Sequence, residues 1–270
     1  MNINLHKPLL KSEKIKSGTD SPVLATAYTY NKYDLANTKT LTGSDEKETS
    51  ITTIYACDTV GELYDTMKNL NLVSYPIEII TRKDGIEIAR EKNEYTSNGK
   101  NVAAKYASWG KNPLQKIISY NRYDLRGHLL QSTTPDEIVR SYVWRDTYDL
   151  LPVPEPERQS IHYPIAEIFN EDYDTVDQII QNSLKISSSP INKYIDCTKI
   201  DTLRKALPNA QVTTYTYKPL VGIATITDPR GIVTHYDYDS FGRLKETYYY
   251  ENNDKSKKRK VESYDYHYKN

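Results

Sequence analysis

The residues able to do chemistry are plentiful in this chain, but their spacing assembles few known sites. Its five histidines, His6, His128, His162, His235 and His267, are scattered. None forms the H-x-x-x-H or H-E-x-x-H pair that seats zinc on one helix face. Cys57 and Cys197 stand 140 positions apart without a C-x-x-C partner, so they read as two separate small buried residues. The G-x-S-x-G, G-x-x-x-x-G-K-[ST] and G-x-G-x-x-G signals of hydrolases, P-loops and dinucleotide folds do not occur. Carboxylates abound, yet a glycosidase pair has to converge across a cleft, which spacing alone does not place. The expectation is no catalytic residue, no metal site and no cofactor: not an enzyme.

Two further features invite a binding role. Tyrosine supplies 25 residues against two Trp and two Phe. Flat aromatics beside Asp and Asn stack on sugar rings, so Tyr236, Tyr238, Trp109 and Trp144 form a candidate aromatic binding face for carbohydrate. The competing and favoured account is structural, because tyrosines on alternate strand positions glue a sheet that is poor in aliphatics. The second feature is the run Lys255–Lys260, KSKKRK, which resembles a nucleic-acid patch in isolation but lies between two strand-like stretches and reads as a solvated hairpin loop.

The elements that must position these residues follow from composition and turn chemistry. With 36 Lys+Arg against 36 Asp+Glu the formal charge is zero, which argues against a dedicated nucleic-acid binder. A mean hydropathy of -0.72 implies a thin core. No stretch reaches the roughly 18 apolar residues of a membrane helix, and lysines interrupt the apolar residues of the first 20, so no signal peptide is expected. Asp228-Pro229-Arg230-Gly231 has the residues of a type I turn, and Asp239-Ser240-Phe241-Gly242 repeats its Asp and Gly. Between and beyond them, Ile232, Thr234, Tyr236 and Tyr238 share one parity and Leu244, Glu246, Tyr248 and Tyr250 another, giving a three-stranded tyrosine-rich meander. The same pattern recurs at Tyr123-Asp124-Leu125-Arg126-Gly127-His128-Leu129, with a turn at Asp136 downstream. A looser copy is Tyr33-Asp34-Leu35-Ala36-Asn37, with Asn in the glycine's place. The structural turn residues are therefore Asp124, Gly127, Asp228, Gly231, Asp239 and Gly242.

Other segments differ in texture. Leu63, Met67 and Leu70 mark a short helix capped by Asp58, and Lys83-Asp84-Gly85 a hairpin. Leu151–Glu157 has proline at every second position and reads as an extended connector. A helix capped by Asp172 or Asp174 carries Val176, Ile179, Ile180 and Leu184; a second carries Ile200, Leu203 and Leu207 and stops at Pro208, with Ser187–Pro190 as the loop between. The expected organisation is a β-rich repeat region with one short helix (1–150), a Pro-rich connector with two short helices (151–210), and C-terminal hairpins (211–270). The expected fold is mainly β: irregular antiparallel hairpins in an open or spiral sheet with a short helical insertion.

The Y-D-x-x-G-R-L pattern with a turn Asp a dozen residues away resembles the YD-repeat, or Rhs (rearrangement hotspot), family. The stretch LPNAQVTTYTYKPLVGIATITDPRGIVTHYDYDSFGRLKETY is similar to the repeat region of the large Rhs-type proteins of Bacteroidota, and SYVW followed by YPIAEI to the segment before it. The resemblance implies a β shell or scaffold that acts at the cell surface or in toxin delivery, with no chemistry of its own. The alternation of aromatic and polar residues at Ser263–Tyr268 reads as a C-terminal edge strand, so the expected partners are further YD-repeat units or a second copy joined through it. The alternative is a surface module that binds carbohydrate or another partner; neither nucleic acid nor a membrane span is expected.

Overall fold

The computed structural model describes residues 9–16, 23–43, 45–144, 163–183, 199–218 and 220–266. The fold is mainly antiparallel β. Its strands are β1 (Ser12–Ile15), β2 (Leu24–Tyr30), β3 (Ala36–Thr42), β4 (Glu48–Tyr55), β5 (Pro76–Lys83), β6 (Ile86–Tyr95), β7 (Val102–Trp109), β8 (Gln115–Tyr123), β9 (Leu129–Thr133), β10 (Val139–Trp144), β11 (Pro164–Phe169), β12 (Gln211–Lys218), β13 (Gly222–Thr227), β14 (Val233–Tyr238), β15 (Leu244–Tyr250) and β16 (Lys258–Ser263). Strand order in the sheet is chain order, β1 to β16. Contacts divide the chain into one compact unit over Met1–Tyr120 and another over Asn121–Asn270.

In the first unit the helix α1 (Glu62–Asn69) follows a one-turn 3-10 helix, Ala56–Asp58. Met67 and Ala56 are fully buried and pack with Ile77 as a small core, with Leu63, Leu72, Tyr75 and Tyr95 around it. The expected cap, Asp58, does not start α1; Gly61 does. Asp58 instead accepts the Tyr55 N–H at 3.2 Å, because the extended backbone of Thr59 separates it from the helix. The β5–β6 hairpin turns at Asp84 and Gly85, both at positive φ, as a two-residue loop requires.

In the second unit the larger core lies beneath two helices, α2 (Tyr173–Ser183) and α3 (Thr202–Ala206), inserted between β11 and β12. Val176 and Ile180 of α2 and Leu203 of α3 close over Val143, Ala166, Ile168 and Val212 of the sheet. Asp172 is the cap of α2, accepting the Thr175 N–H at 2.9 Å. The connector at Leu151–Glu157, Ser187–Pro190, Cys197, His6, His162 and His267 lie outside the described residues.

One loop recurs through both units. Residue i donates its N–H to the carbonyl of i+4 and receives the N–H of i+3, which sits at positive φ. This is a type I turn closed by a left-handed residue. It appears at Asn31–Leu35 and Gly43–Lys47 in the first unit and at Asp124–His128, Thr134–Ile138, Asp228–Ile232 and Asp239–Arg243 in the second. The left-handed residues are Asp34, Glu46, Gly127, Glu137, Gly231 and Gly242. One sequence expectation is corrected here. Asp34 does not open its turn; Asn31 does, taking the N–H groups of Tyr33 and Leu35 on its Oδ1, while Asn37 lies in β3. Asp136 lies within the turn after β9, which Thr134 opens with its hydroxyl.

The basic run and the end of the chain also depart from expectation. Lys258, Arg259 and Lys260 belong to β16, leaving Lys255 to Lys257 in the loop. The last described strand therefore ends at Ser263, where it was expected to begin. Its alternation of Lys, Arg, Val and Glu pairs with the tyrosines of β15, Tyr248↔Lys260 and Tyr250↔Lys258.

Candidate functional site

Several tyrosines act through their hydroxyls. Within each unit, even-numbered strands end where odd-numbered strands begin, and there a terminal aromatic closes seven of the described hairpins. In the first unit Tyr30 donates to the Leu10 carbonyl (2.7 Å), Tyr55 to Ala36 (2.9 Å) and Tyr95 to Pro76 (2.9 Å). In the second, the Trp144 indole N–H donates to Leu129 (2.8 Å), Tyr217 to Pro164 (2.7 Å), Tyr238 to Ile223 (2.8 Å) and Tyr266 to Leu244 (2.9 Å). Each acceptor lies within two residues of the start of an odd strand, and each donor within three residues of the end of the following even strand. We call this contact a latch.

The cause is local. The register slips at Tyr30, Tyr55, Tyr95, Trp144, Tyr217 and Tyr238, where each strand bulges beside the start of the next. A bulge interrupts the ladder, and a backbone carbonyl without a ladder donor needs a partner from elsewhere. At Ala36, Pro76, Pro164, Ile223 and Leu244 a phenol of the next hairpin supplies it. Proline at the first position of β5 and β11 suits this site, since it offers a carbonyl and needs no N–H acceptor. Burial pushes the Tyr95 and Tyr217 phenols up to about 12, so these donors keep their protons throughout the neutral range.

This geometry gives each predicted residue a place. Asp124, Asp228 and Asp239 each accept two backbone N–H groups on one carboxylate oxygen: Arg126 and His128, Arg230 and Ile232, and Phe241 and Arg243, all at 2.8 to 2.9 Å. Gly127, Gly231 and Gly242 occupy the left-handed positions of those loops. Two of these loops carry a further element. Asp239 holds the Arg243 guanidinium, which stacks 4.2 Å from the Tyr266 ring, and Asp124 holds the His128 imidazole at 2.9 Å, stacked 4.6 Å from Trp144. In both, a carboxylate steers a nitrogenous side chain onto the latch aromatic of the hairpin it opens. Trp109 is exposed in the first unit, while Tyr236, Tyr238 and Trp144 belong to the second. Tyr238 and Trp144 face separate carbonyls at separate hairpins.

A group of ionisable and aromatic side chains spans β14 to β16, and sequence parity did not reveal it. Tyr236 lies opposite Thr247, whereas His235 lies opposite Tyr248. The two tyrosine rows thus occupy opposite faces, and the aromatic pairing runs through the histidine. His235 stacks on Tyr248 with centroids 5.0 Å apart and planes 8° from parallel, and meets the Tyr250 edge at 5.1 Å. The Lys258 ammonium lies 3.7 Å from the Tyr248 ring centroid and pairs with Glu246, as does Lys260 at 3.7 Å. Burial holds the His235 imidazole below its ordinary range, with Lys255 and Lys258 adding to the effect and Asp237 opposing it. Burial likewise pushes the Tyr248 phenol up to about 12. The signal that could have found this group is the single histidine among the polar positions of a tyrosine-rich strand.

Other features are smaller. A cleft of about 250 Å³ separates the loop at Arg230, Gly231 and Ile232 from Tyr249, Glu251, Asn252 and Asn253. Buried Cys57 receives the Asn31 amide at 3.3 Å, and burial pushes its thiol up. No three His, Cys, Asp or Glu side chains converge as a metal site among the described residues. Nor is any helix among them long and apolar enough to cross a membrane.

Comparison with known proteins agrees with the repeat geometry. The family model described as RHS Repeat matches residues 222–251, so the chain carries an RHS repeat. That window runs from the acceptor Ile223 through the Asp228 loop and the Tyr238 latch into the Asp239 loop and β15. No curated protein sequence matches. Among solved structures, the crystal structure of TcdB2-TccC3 without its hypervariable C-terminal region is similar at 10% identity and a TM-score of 0.36, over 92% of this chain and 11% of that one. The crystal structure of TcdB2-TccC3-Cdc42 is similar at 11% identity and a TM-score of 0.33, over 88% of this chain and 12% of that one. The chain thus spans about an eighth of the length of the solved chains it resembles.

Proposed function

We propose that this chain is a non-catalytic structural segment of an Rhs-type YD-repeat protein, a piece of a shell or scaffold used at a cell surface or in toxin delivery. One observation carries the proposal: the polar groups of the repeat motif are committed to the fold. The Tyr238 hydroxyl closes a hairpin, the Asp239 carboxylate caps a loop and holds Arg243, and Gly242 supplies the left-handed turn. A motif used for chemistry would leave at least one such group aimed at a ligand. Its partners are further YD-repeat units, or a second copy, added as strands along β16. Every β16 residue is exposed, and β16 is the last strand in the sheet order. An outer edge of this kind carries backbone donors and acceptors for one more strand.

The test is light scattering over a concentration series, with the full chain and a variant lacking residues 258–270. Concentration-dependent association of the full chain, reduced in the truncated one, supports the proposal. Strictly monomeric behaviour of the full chain removes the edge as an assembly surface. A second reading, a carbohydrate-binding module, is favoured by the 250 Å³ cleft beside exposed Tyr249, where Asn252 and Asn253 also stand exposed. A glycan-array signal lost in a folded Tyr249→Ala variant would favour it over the scaffold.

A further inference from the structure

Latches bind strands in pairs: β9 with β10, β11 with β12, β13 with β14 and β15 with β16. Between successive pairs runs a seam held by ladder hydrogen bonds, one loop and the side chains that cross it. At the β14–β15 seam the crossing side chains are His235 from β14 and Tyr248 and Tyr250 from β15. We propose that this seam is an acid-sensitive joint, at which protonation of His235 loosens the terminal hairpin β15–β16 from β14 while the latch within each hairpin holds.

The argument rests on what surrounds the ring. A neutral imidazole lies flat on Tyr248 and against the Tyr250 edge, an arrangement in which aromatic quadrupoles attract. From β16, the Lys258 ammonium already occupies the π system of the same Tyr248 ring. A proton on His235 sets a second positive charge against that ring, near Lys258 and the more distant Lys255. The negative groups nearby are Asp237 on the same strand and Glu246 on β15. Glu246 is engaged by Lys258 and Lys260, whose hydrogen bond and charge hold its carboxyl below the usual range. It therefore remains committed to the lysines in mild acid. From β13 the residue opposite His235 is Thr225, which brings no charge.

The sign follows from linkage. Burial lowers the affinity of the closed seam for the proton, so the open seam takes it first. Closure is strongest above the ordinary histidine value of about 6.5 and weakens as pH falls below it. Each pH unit separating the two titrations raises the opening constant by about tenfold once both forms are protonated.

Hydrogen exchange of the full chain, followed by mass spectrometry at pH 7.5 and 5.5 and corrected for intrinsic rates, tests the joint. The expected result is a several-fold loss of protection at pH 5.5 over residues 244–263 with protection over β9 and β10 retained, and its absence in His235→Phe, which keeps a flat ring but takes no proton. Equal protection at both pH values in the unmodified chain would overturn the proposal, as would the same loss in His235→Phe. Should that variant fail to fold by circular dichroism, an NMR titration of His235 in the unmodified chain decides. Titration below the ordinary histidine range supports the joint, and titration at or above it sinks it.

Discussion

Replacing Tyr238 with Phe removes one oxygen and nothing else from the latch that closes β13 on β14. The hydroxyl sits 2.8 Å from the Ile223 carbonyl, and Tyr238 is partly buried beside Gly222, whose missing side chain makes the room: a β-carbon there would lie 2.8 Å from the phenol oxygen. A neutral hydrogen bond contributes about 0.5 to 1.5 kcal/mol net, and a buried acceptor left without its donor adds to the loss. The ring stays, so the hydrophobic contribution is unchanged. The expected cost is about 1 kcal/mol, at the upper part of that range if no water reaches the carbonyl. Tyr236→Phe is the control, since the Tyr236 hydroxyl has no hydrogen-bond partner among the described residues and its loss should stay within about 0.5 kcal/mol. Urea unfolding followed by tyrosine fluorescence, with the slope checked to be unchanged, measures both. Equal midpoints for the two variants would refute the idea that the hydroxyl, rather than the ring, is what the motif selects.

Three other outcomes are expected. Gly242→Val should cost about 1 to 2 kcal/mol through the left-handed penalty, because the nearest atom to a new β-carbon is Val221 Cγ1 at an ordinary 3.8 Å and backbone conformation alone is at stake; an unmoved urea midpoint would contradict the loop assignment. Asp239 is held below the usual carboxylate range by the Arg243 N–H and then by the Arg243 guanidinium, so its contribution is complete above about pH 4 and fades as pH falls through the lowered value; Asp239→Asn should flatten that acid limb of the stability profile, and a parallel limb would count against it. Trp144→Phe should lose the Leu129 hydrogen bond while keeping a ring on His128, lowering stability by about 1 kcal/mol, and an unchanged midpoint would deny Trp144 the role of a latch.

Much of this architecture was legible because turn chemistry is local. The Asp–Gly loops, the Asp84-Gly85 hairpin and the α3 stop at Pro208 each follow from residues within a few positions of one another. What escaped detection was non-local or depended on a bulge. Parity placed Tyr236 and Tyr238 together, but the slip between Asp237 and Tyr238 gives the second tyrosine a different job from the first. Asn31 and Thr134 were missed as loop openers because any side-chain acceptor close to the backbone serves there, while acidic Asp34 and Glu137 sit at the left-handed position that glycine marks elsewhere. Trp144 was missed as the counterpart of a tyrosine because the shared property is an N–H or O–H at the end of a flat ring. One distinction was available and unread. On the latch edge the residue before the loop is Tyr30, Tyr123 or Tyr238; on the opposite edge it is Thr42, Thr133 or Thr227.

Tyr217 and Pro164 are 53 residues apart, yet they make the same contact as Tyr238 and Ile223, which are 15 apart. Whatever lies between the two strands of a closed hairpin is therefore a detour that the sheet does not register. Fastening the mouth fixes both strand ends, and lengthening the far loop costs only a logarithmic increment of entropy. The α2–α3 excursion uses that freedom to build the larger core of its unit. The loop at Asp228–Ile232 occupies the equivalent position one hairpin later, which makes it the natural place to splice a guest sequence, a reporter or an epitope, without altering the register of β13 and β14.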